Sequence, residues 1–309
     1  MRPAGVRSPP TVVSLYGKDG DAERTFTDLD VQRHFLSTGL AVAAVDGGNY
    51  YWHARRSEST GDDSISSDTP PCDTGAMVTD DFIPLLGRLG LDTSRIGLMG
   101  WSMGGYGALL LAARLGPAKV AAVAPMSAAL WLEPGLSAPS AFDDAEDWQR
   151  NDVFADRSRF AHVPLRLACG MSDPFFDADR AFVSAFPDAG PYDVSAVFDA
   201  GGHDAAYWSA HAGGQLTFLA RHLREAGERP PGRLCVAGRP GGWALSRPLR
   251  RTPWCQAALR CGTSWWVGAI ALGGADVVVP GGSALRDVLV GGRYRARSGG
   301  RRGLRHRPG

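Results

Sequence analysis

Ser102, Asp173 and His203 are the residues whose types and order suit nucleophilic acyl chemistry in this sequence. A serine hydroxyl is a poor nucleophile until a base takes its proton, and the base needs a partner that orients it and stabilises its cation. Ser102 lies in Gly100-Trp101-Ser102-Met103-Gly104, directly after the apolar run 96–99 and before an apolar stretch, 103–115, that Gly116-Pro117 stops. Strand, G-x-S-x-G, helix is the context a nucleophile elbow requires. The glycines suit a very sharp turn with strained backbone angles. Such a turn lifts the Ser102 hydroxyl above the sheet edge. It also aims the Met103 N–H, at a helix start, toward an oxyanion forming there. The pattern alone is common by chance, so its placement and the downstream residues carry the argument.

Of seven histidines, His203 stands out because Gly201-Gly202-His203 follows an apolar run at 194–198, so its imidazole can swing over a strand end. His53 is the competitor, in an aromatic knot of Tyr50-Tyr51-Trp52-His53, while His211 and His222 read as surface or packing residues. Asp173 follows the apolar run 165–168, between Ser102 and His203, in the chain order Ser, Asp, His. Asp177 is the near alternative, and a helix N-cap before Pro174 is the bland role for Asp173. The second oxyanion donor is expected from the loop after the first strand, at the N–H of Gly17 or Lys18. Asp46, Trp52 and Trp101 are expected to line the substrate pocket, with ordinary loop packing as their alternative role.

The elements that must position these groups alternate. Apolar or β-branched runs at 11–16, 40–45, 96–99, 120–124, 165–168 and 194–198 read as strands. The segments 28–37, 75–89, 103–115, 177–185 and 205–226 read as helices. Alternation of this kind predicts an α/β fold with a mostly parallel sheet and helices on both faces. Active sites in such sheets lie at the carboxyl ends of strands. Gly17, Asp46, Ser102, Asp173 and His203 all fall at or just past expected strand ends.

The 309 residues divide into two regimes of charge. Residues 1–227 hold 18 Lys and Arg against 29 acids; residues 228–309 hold 15 Arg, no Lys and 3 acids. The expected boundary is therefore at 227, between a hydrolase-like domain and an Arg/Gly/Pro-rich tail that reads either as disordered or as out-of-frame translation of a GC-rich gene. The tail has no groove-reading motif or alternating basic and aromatic pattern, which argues against a nucleic-acid partner. Five cysteines, an odd count without a C-x-x-C, give no disulfide framework and no zinc spacing. No apolar stretch is long enough to span a membrane, and residues 1–10 lack the apolar core of a signal peptide. The expected location is cytoplasmic, or outside the cell if a further segment precedes.

Residues 11–226 resemble the esterase family of α/β-hydrolases that includes esterase D, feruloyl esterases and the mycolyltransferases. The resemblance rests on the first strand with Gly17-Lys18-Asp19-Gly20, on Gly100 to Gly105, on Asp173-Pro174-Phe175 and on Gly202-His203. Asp46-Gly47-Gly48 and Tyr51-Trp52-His53 bring it nearest to actinobacterial esterases of this type. The resemblance implies a serine hydrolase acting on a small-molecule ester without metal or organic cofactor. It implies Ser102, Asp173 and His203 as the triad, with the backbone near Gly17, Lys18 and Met103 as the oxyanion hole. An acyltransferase with the same triad is the alternative activity. Two departures are visible. Tyr16 stands where the family usually has histidine, and the family's leading strands are missing before residue 11; both motivate a third reading, a non-catalytic binding protein on the same scaffold. Oligomeric state and the ester itself are left open by the sequence.

Overall fold

The computed structural model describes residues 8–31, 34, 38–57, 70–228 and 271–272. Its centre is a seven-stranded sheet in the order β8-β7-β6-β5-β1-β2-β9. The strands are β1 (Pro10–Leu15), β2 (Ala41–Ala44), β5 (Asp92–Trp101), β6 (Val120–Met126), β7 (Leu165–Gly170), β8 (Val194–Asp199) and β9 (Ala271–Leu272). A separate two-stranded ribbon pairs β3 (Ala54–Arg55) with β4 (Cys72–Asp73). Every neighbouring pair in the main sheet is parallel except β2 and β9, where Ala41 faces Leu272 and Val42 faces Ala271. A helix over Ala205–Glu228 runs through the boundary expected at 227, and the rest of the tail, 229–270 and 273–309, lies outside the described residues.

β5, β6, β7 and β8 run longer than the expected apolar runs because their ladder bonds continue past them, whereas β1 is shifted by one residue and β2 is shorter than 40–45. β5 starts at Asp92 and β6 reaches Met126. Val120 to Met126 are all buried, as are Ile96 to Trp101, whichever face they point to. That is the signature of a sheet covered on both sides. The cover comes from α3 (Met103–Leu115) and α6 (Ala205–Glu228), which both pack against β5 and β6. Met103 to Ala113 are buried without a break, so α3 is apolar all round, the pattern of a helix inside a core. Each large aliphatic side chain so buried contributes about 1.5–3 kcal/mol.

Two helices differ from expectation. The run over 74–88, α2, is interrupted by a π-helical stretch, Met77–Phe82, and is started by Asp73, whose carboxylate accepts the Ala76 N–H at 2.8 Å. The helix expected over 28–37 is not seen from its start. The helical turn α1 is earlier, Arg24–Thr27, and Asp30 takes a left-handed φ of 47°, which no helix continues through; most of 32–37 lies outside the described residues. The short α4 (Ala145–Arg150) and then α5 (Phe176–Ser184) complete the set of α-helices that matter here. Cys72 is disulfide-bonded and Cys169 is free and buried, so the expectation of no disulfide is corrected. Among the described residues, no helix is long and apolar enough to cross a membrane.

The strand order fixes where a site can form. From β1 the chain moves outward to β2, then returns to place β5 on the other side of β1. Ligands in open α/β sheets bind at such a reversal, outside the carboxyl ends of the strands. Leu15 pairs with Gly100, so Gly17 and Ser102, each two residues further on, lie side by side.

Candidate active site

Ser102 sits between β5 and α3 with φ 54° and ψ −123°, a left-handed conformation that costs a non-glycine residue about 1–3 kcal/mol. What holds it there is close packing between backbones. A side-chain carbon on Gly104 would fall inside contact distance of the Leu15 and Tyr16 carbonyl oxygens. The first turn of α3 can therefore approach the end of β1 only because residue 104 is glycine. Ser102 is further tied by its N–H to the Met126 carbonyl at 3.0 Å and by its own carbonyl to the Ala129 N–H at 3.0 Å.

The side chains form one hydrogen-bonded line. The Ser102 hydroxyl lies 2.9 Å from His203 Nε2, and His203 Nδ1 lies 2.8 Å from Asp173 Oδ2. His203 is carried on the loop between β8 and α6, as expected. Its ring is held by Phe175 at 5.2 Å and by Trp208 at 5.0 Å, the latter perpendicular to it. Asp173 follows β7 and is 5% exposed. Its Oδ1 accepts the Phe175 N–H at 2.9 Å, so it closes the turn before α5 and orients the imidazole at once. Burial pushes its carboxyl up, but hydrogen bonds from His203, the Phe175 N–H and the Ser127 hydroxyl outweigh that and hold it below the ordinary 3.8.

The alternatives fall away on burial and distance. His53 is fully buried, stacked on Phe142, with Nε2 against the Ala141 carbonyl at 3.2 Å and Nδ1 3.7 Å from Asp147. Burial pushes its imidazole down to about 3, so it is a neutral core group and cannot serve Ser102. Asp177 is exposed and pairs with Arg180 at 3.0 Å. His211 bonds the Tyr207 carbonyl and Asp199.

Of the residues expected to supply the oxyanion hole, Met103 and Gly17 lie beside Ser102, while the Lys18 side chain is exposed and pairs with Asp19 at 2.9 Å. Met103 is the first residue of α3, where backbone N–H groups have no partner within the helix. A side-chain carbon on Gly17 would stand 3.2 Å from Ser102 Cβ and 2.9 Å from Trp101 Nε1, which places the Gly17 backbone against the nucleophile. The loop from Gly17 is braced by the one that follows β2. Asp46 accepts the Ala22 N–H at 2.6 Å, and Asn49 accepts the Asp19 N–H at 2.8 Å while donating to Asp19 Oδ1 at 2.9 Å. Burial raises the Asp46 carboxyl, partly countered by that Ala22 bond. The Tyr16 hydroxyl accepts the Gly47 N–H at 2.8 Å and donates to the Gly48 carbonyl at 3.3 Å. Tyr16 thus braces the same loop at the position where a histidine is usual in the resembled family.

Of the residues expected to line a pocket, Trp101 is at the site, wedged between Gly17 and the Trp208 ring 6.0 Å away. Asp46 supports the loop through its bond to the Ala22 N–H. Trp52 is not brought to the site; it is 1% exposed, packed against Gly47 and Gly107 and edge-on to Tyr16 at 5.2 Å. Its large ring fills the core between α3 and the loop after β2, which a reading by loop position does not foresee. Among the described residues, no group of three His, Cys, Asp or Glu side chains is placed to hold a metal ion.

Asp179 was not singled out by sequence. It lies on α5, fully buried, with Oδ2 accepting the Ala128 N–H at 3.0 Å. Burial, with Asp173 nearby adding to it, holds its carboxyl well above the ordinary 3.8. A carboxyl raised by folding stabilises the protein fully below 3.8, and that contribution is lost as pH rises through the folded value. Asp179→Asn keeps an acceptor for Ala128 and removes the titration. Melting across pH 4 to 8 is expected to show the variant gaining on the native chain as pH rises; parallel curves would contradict it.

Residues 77–211 match the family described as putative esterase. No sequence among the curated proteins matches this chain. Solved structures do. An S-formylglutathione hydrolase from Agrobacterium tumefaciens is 18% identical with a TM-score of 0.55, over 72% of this chain and 87% of that one. A ferulic acid esterase is 20% identical with a TM-score of 0.54, over 70% and 86%. A fluorophosphonate-binding serine hydrolase of Staphylococcus aureus is 17% identical with a TM-score of 0.54, over 70% and 85%. At these identities the likeness is one of fold, and that fold is the α/β-hydrolase fold.

Proposed function

We propose that this chain, which carries the putative esterase family over residues 77–211 on an α/β-hydrolase fold, is a serine carboxylesterase. The observation that carries the reading is the line from Ser102 through His203 to Asp173, with successive separations of 2.9 and 2.8 Å. Ser102 Oγ attacks the ester carbonyl while His203 Nε2 takes its proton. The oxyanion is met by the Met103 N–H and by an N–H of Gly17 or Lys18. His203 then returns the proton to the departing alcohol, leaving an acyl group on Ser102. A water molecule, deprotonated by His203 in turn, releases the acid and restores the serine. Asp173 stays ionised throughout, fixing the Nδ1–H tautomer and stabilising the imidazolium.

The test is labelling with a fluorophosphonate probe alongside a panel of p-nitrophenyl esters. The native chain is expected to label once and to turn over short esters. Ser102→Ala is expected to lose labelling and to lower kcat by about 10⁴-fold or more. Undiminished labelling of that variant would remove Ser102 from the mechanism.

A further inference from the structure

We propose that Ser127 and Trp208 act as a positioning pair that sets Asp173 and His203 for Ser102, an inference that rests on the esterase reading above. Neither residue touches the reacting atoms. Ser127 is the first residue after β6, is fully buried, and has a φ of 44°. A non-glycine residue in that region persists only where its surroundings over-determine it.

Those surroundings are the loops that carry the site. The Ser127 N–H donates to the Ala168 carbonyl on β7 at 2.7 Å. On either side of it, the Met126 carbonyl and the Ala129 N–H bind the N–H and carbonyl of Ser102, while the Ala128 N–H binds Asp179. Residues 126–129 therefore join the nucleophile's backbone to the strand that leads to Asp173.

The side chain gives the pair a direction. Trp208 Nε1 lies 3.0 Å from Ser127 Oγ. An indole N–H only donates, so it occupies a lone pair of the hydroxyl and leaves the hydroxyl proton to point elsewhere. The Ser127 hydroxyl is one of the groups that hold the Asp173 carboxyl low, beside the Phe175 N–H at 2.9 Å and His203 Nδ1 at 2.8 Å. The same Trp208 ring stands perpendicular to His203 at 5.0 Å. One side chain thus confines the imidazole and, through Ser127, is anchored to the strand that leads to Asp173. Supporting contacts of this kind are what hold a reactive constellation to productive geometry.

The experiment compares Ser127→Ala, Trp208→Phe and the double variant, with Ser102→Ala as the reference for the underlying reading. Trp208→Phe keeps a ring against His203 and removes only the donor. Readouts are kcat and KM for a short p-nitrophenyl ester, the rate of fluorophosphonate inactivation, and the thermal midpoint. Each single variant is expected to lower kcat and the inactivation rate by about tenfold to hundredfold, the range for losing a hydrogen bond that serves a charged group. KM is expected to stay within about threefold, and the double variant to be no slower than Ser127→Ala beyond about threefold, since coupled residues are not additive. Native rates in both single variants, with Ser102→Ala inactive, overturn the proposal and leave the esterase reading standing. So does a double variant whose loss is the product of the single losses. Full activity in Ser102→Ala overturns both. Should Ser127→Ala fail to fold, Trp208→Phe alone decides: a native inactivation rate in that variant refutes the pair.

Discussion

Asp173→Asn is expected to lower kcat for ester hydrolysis by about 10⁴-fold while leaving the fold and KM largely unchanged. The physical reason lies in what Asn presents to His203. Asp173 Oδ2 accepts from Nδ1 at 2.8 Å, which leaves Nε2 without a proton and able to take one from Ser102 at 2.9 Å. Oδ1 is already occupied by the Phe175 N–H. An asparagine that keeps its oxygen on Phe175 must turn its NH₂ toward His203. The imidazole then carries its proton on Nε2, where it donates to the serine instead of accepting from it, and no carboxylate remains to stabilise the cation. Steady-state kinetics with the thermal midpoint as a control for folding makes the comparison. A loss below tenfold would mean that Asp173 serves the turn before α5 and not the reaction.

Gly104→Ala is expected to be the most damaging small substitution in the described residues for stability. A methyl group at 104 meets the Leu15 and Tyr16 carbonyl oxygens, which belong to the central strand and the loop after it and cannot rotate away. Relief requires α3 to move off β1, opening a core in which Met103 to Ala113 are all buried. Overpacking of this kind is expected to cost about 3 kcal/mol or more. For a domain of this size that lowers the thermal midpoint by about 6–12 °C. The same shift carries the Met103 N–H away from Ser102, so kcat is expected to fall along with stability. A midpoint within about 2 °C of the native chain would contradict the close approach.

Much of this was legible in the sequence because period and punctuation act locally. Continuous apolar runs gave the strands, since buried parallel strands need apolar residues on both faces. Gly116-Pro117 stopped α3 where expected. G-x-S-x-G between a strand and a helix is a local demand of the backbone, so Ser102 could be placed without knowing what surrounds it. His203 and Asp173 could be selected only as residues at strand ends; the order β8-β7-β6-β5 is what makes such ends neighbours. Asp177 and Asp173 were four positions apart and indistinguishable by type. Only the turn of the chain after β7 decided that one reaches His203 and the other points to Arg180.

The tertiary structure alone decided which polar and aromatic groups lie inside. His53 and Trp52 belong to a loop that looks functional in sequence, yet both are buried, because burial depends on what α3 and the segment 141–147 bring against them. Asp179 reads as one more acid on an amphipathic helix, and Ser127 as one more small residue after a strand. Their roles come from contacts with partners about 50 to 80 residues away in the chain, Ala128 for the one and Trp208 for the other. A sequence records propensity residue by residue. It does not record which distant donor meets which acceptor, and in this protein such meetings bring Asp173, His203 and Ser102 into one line.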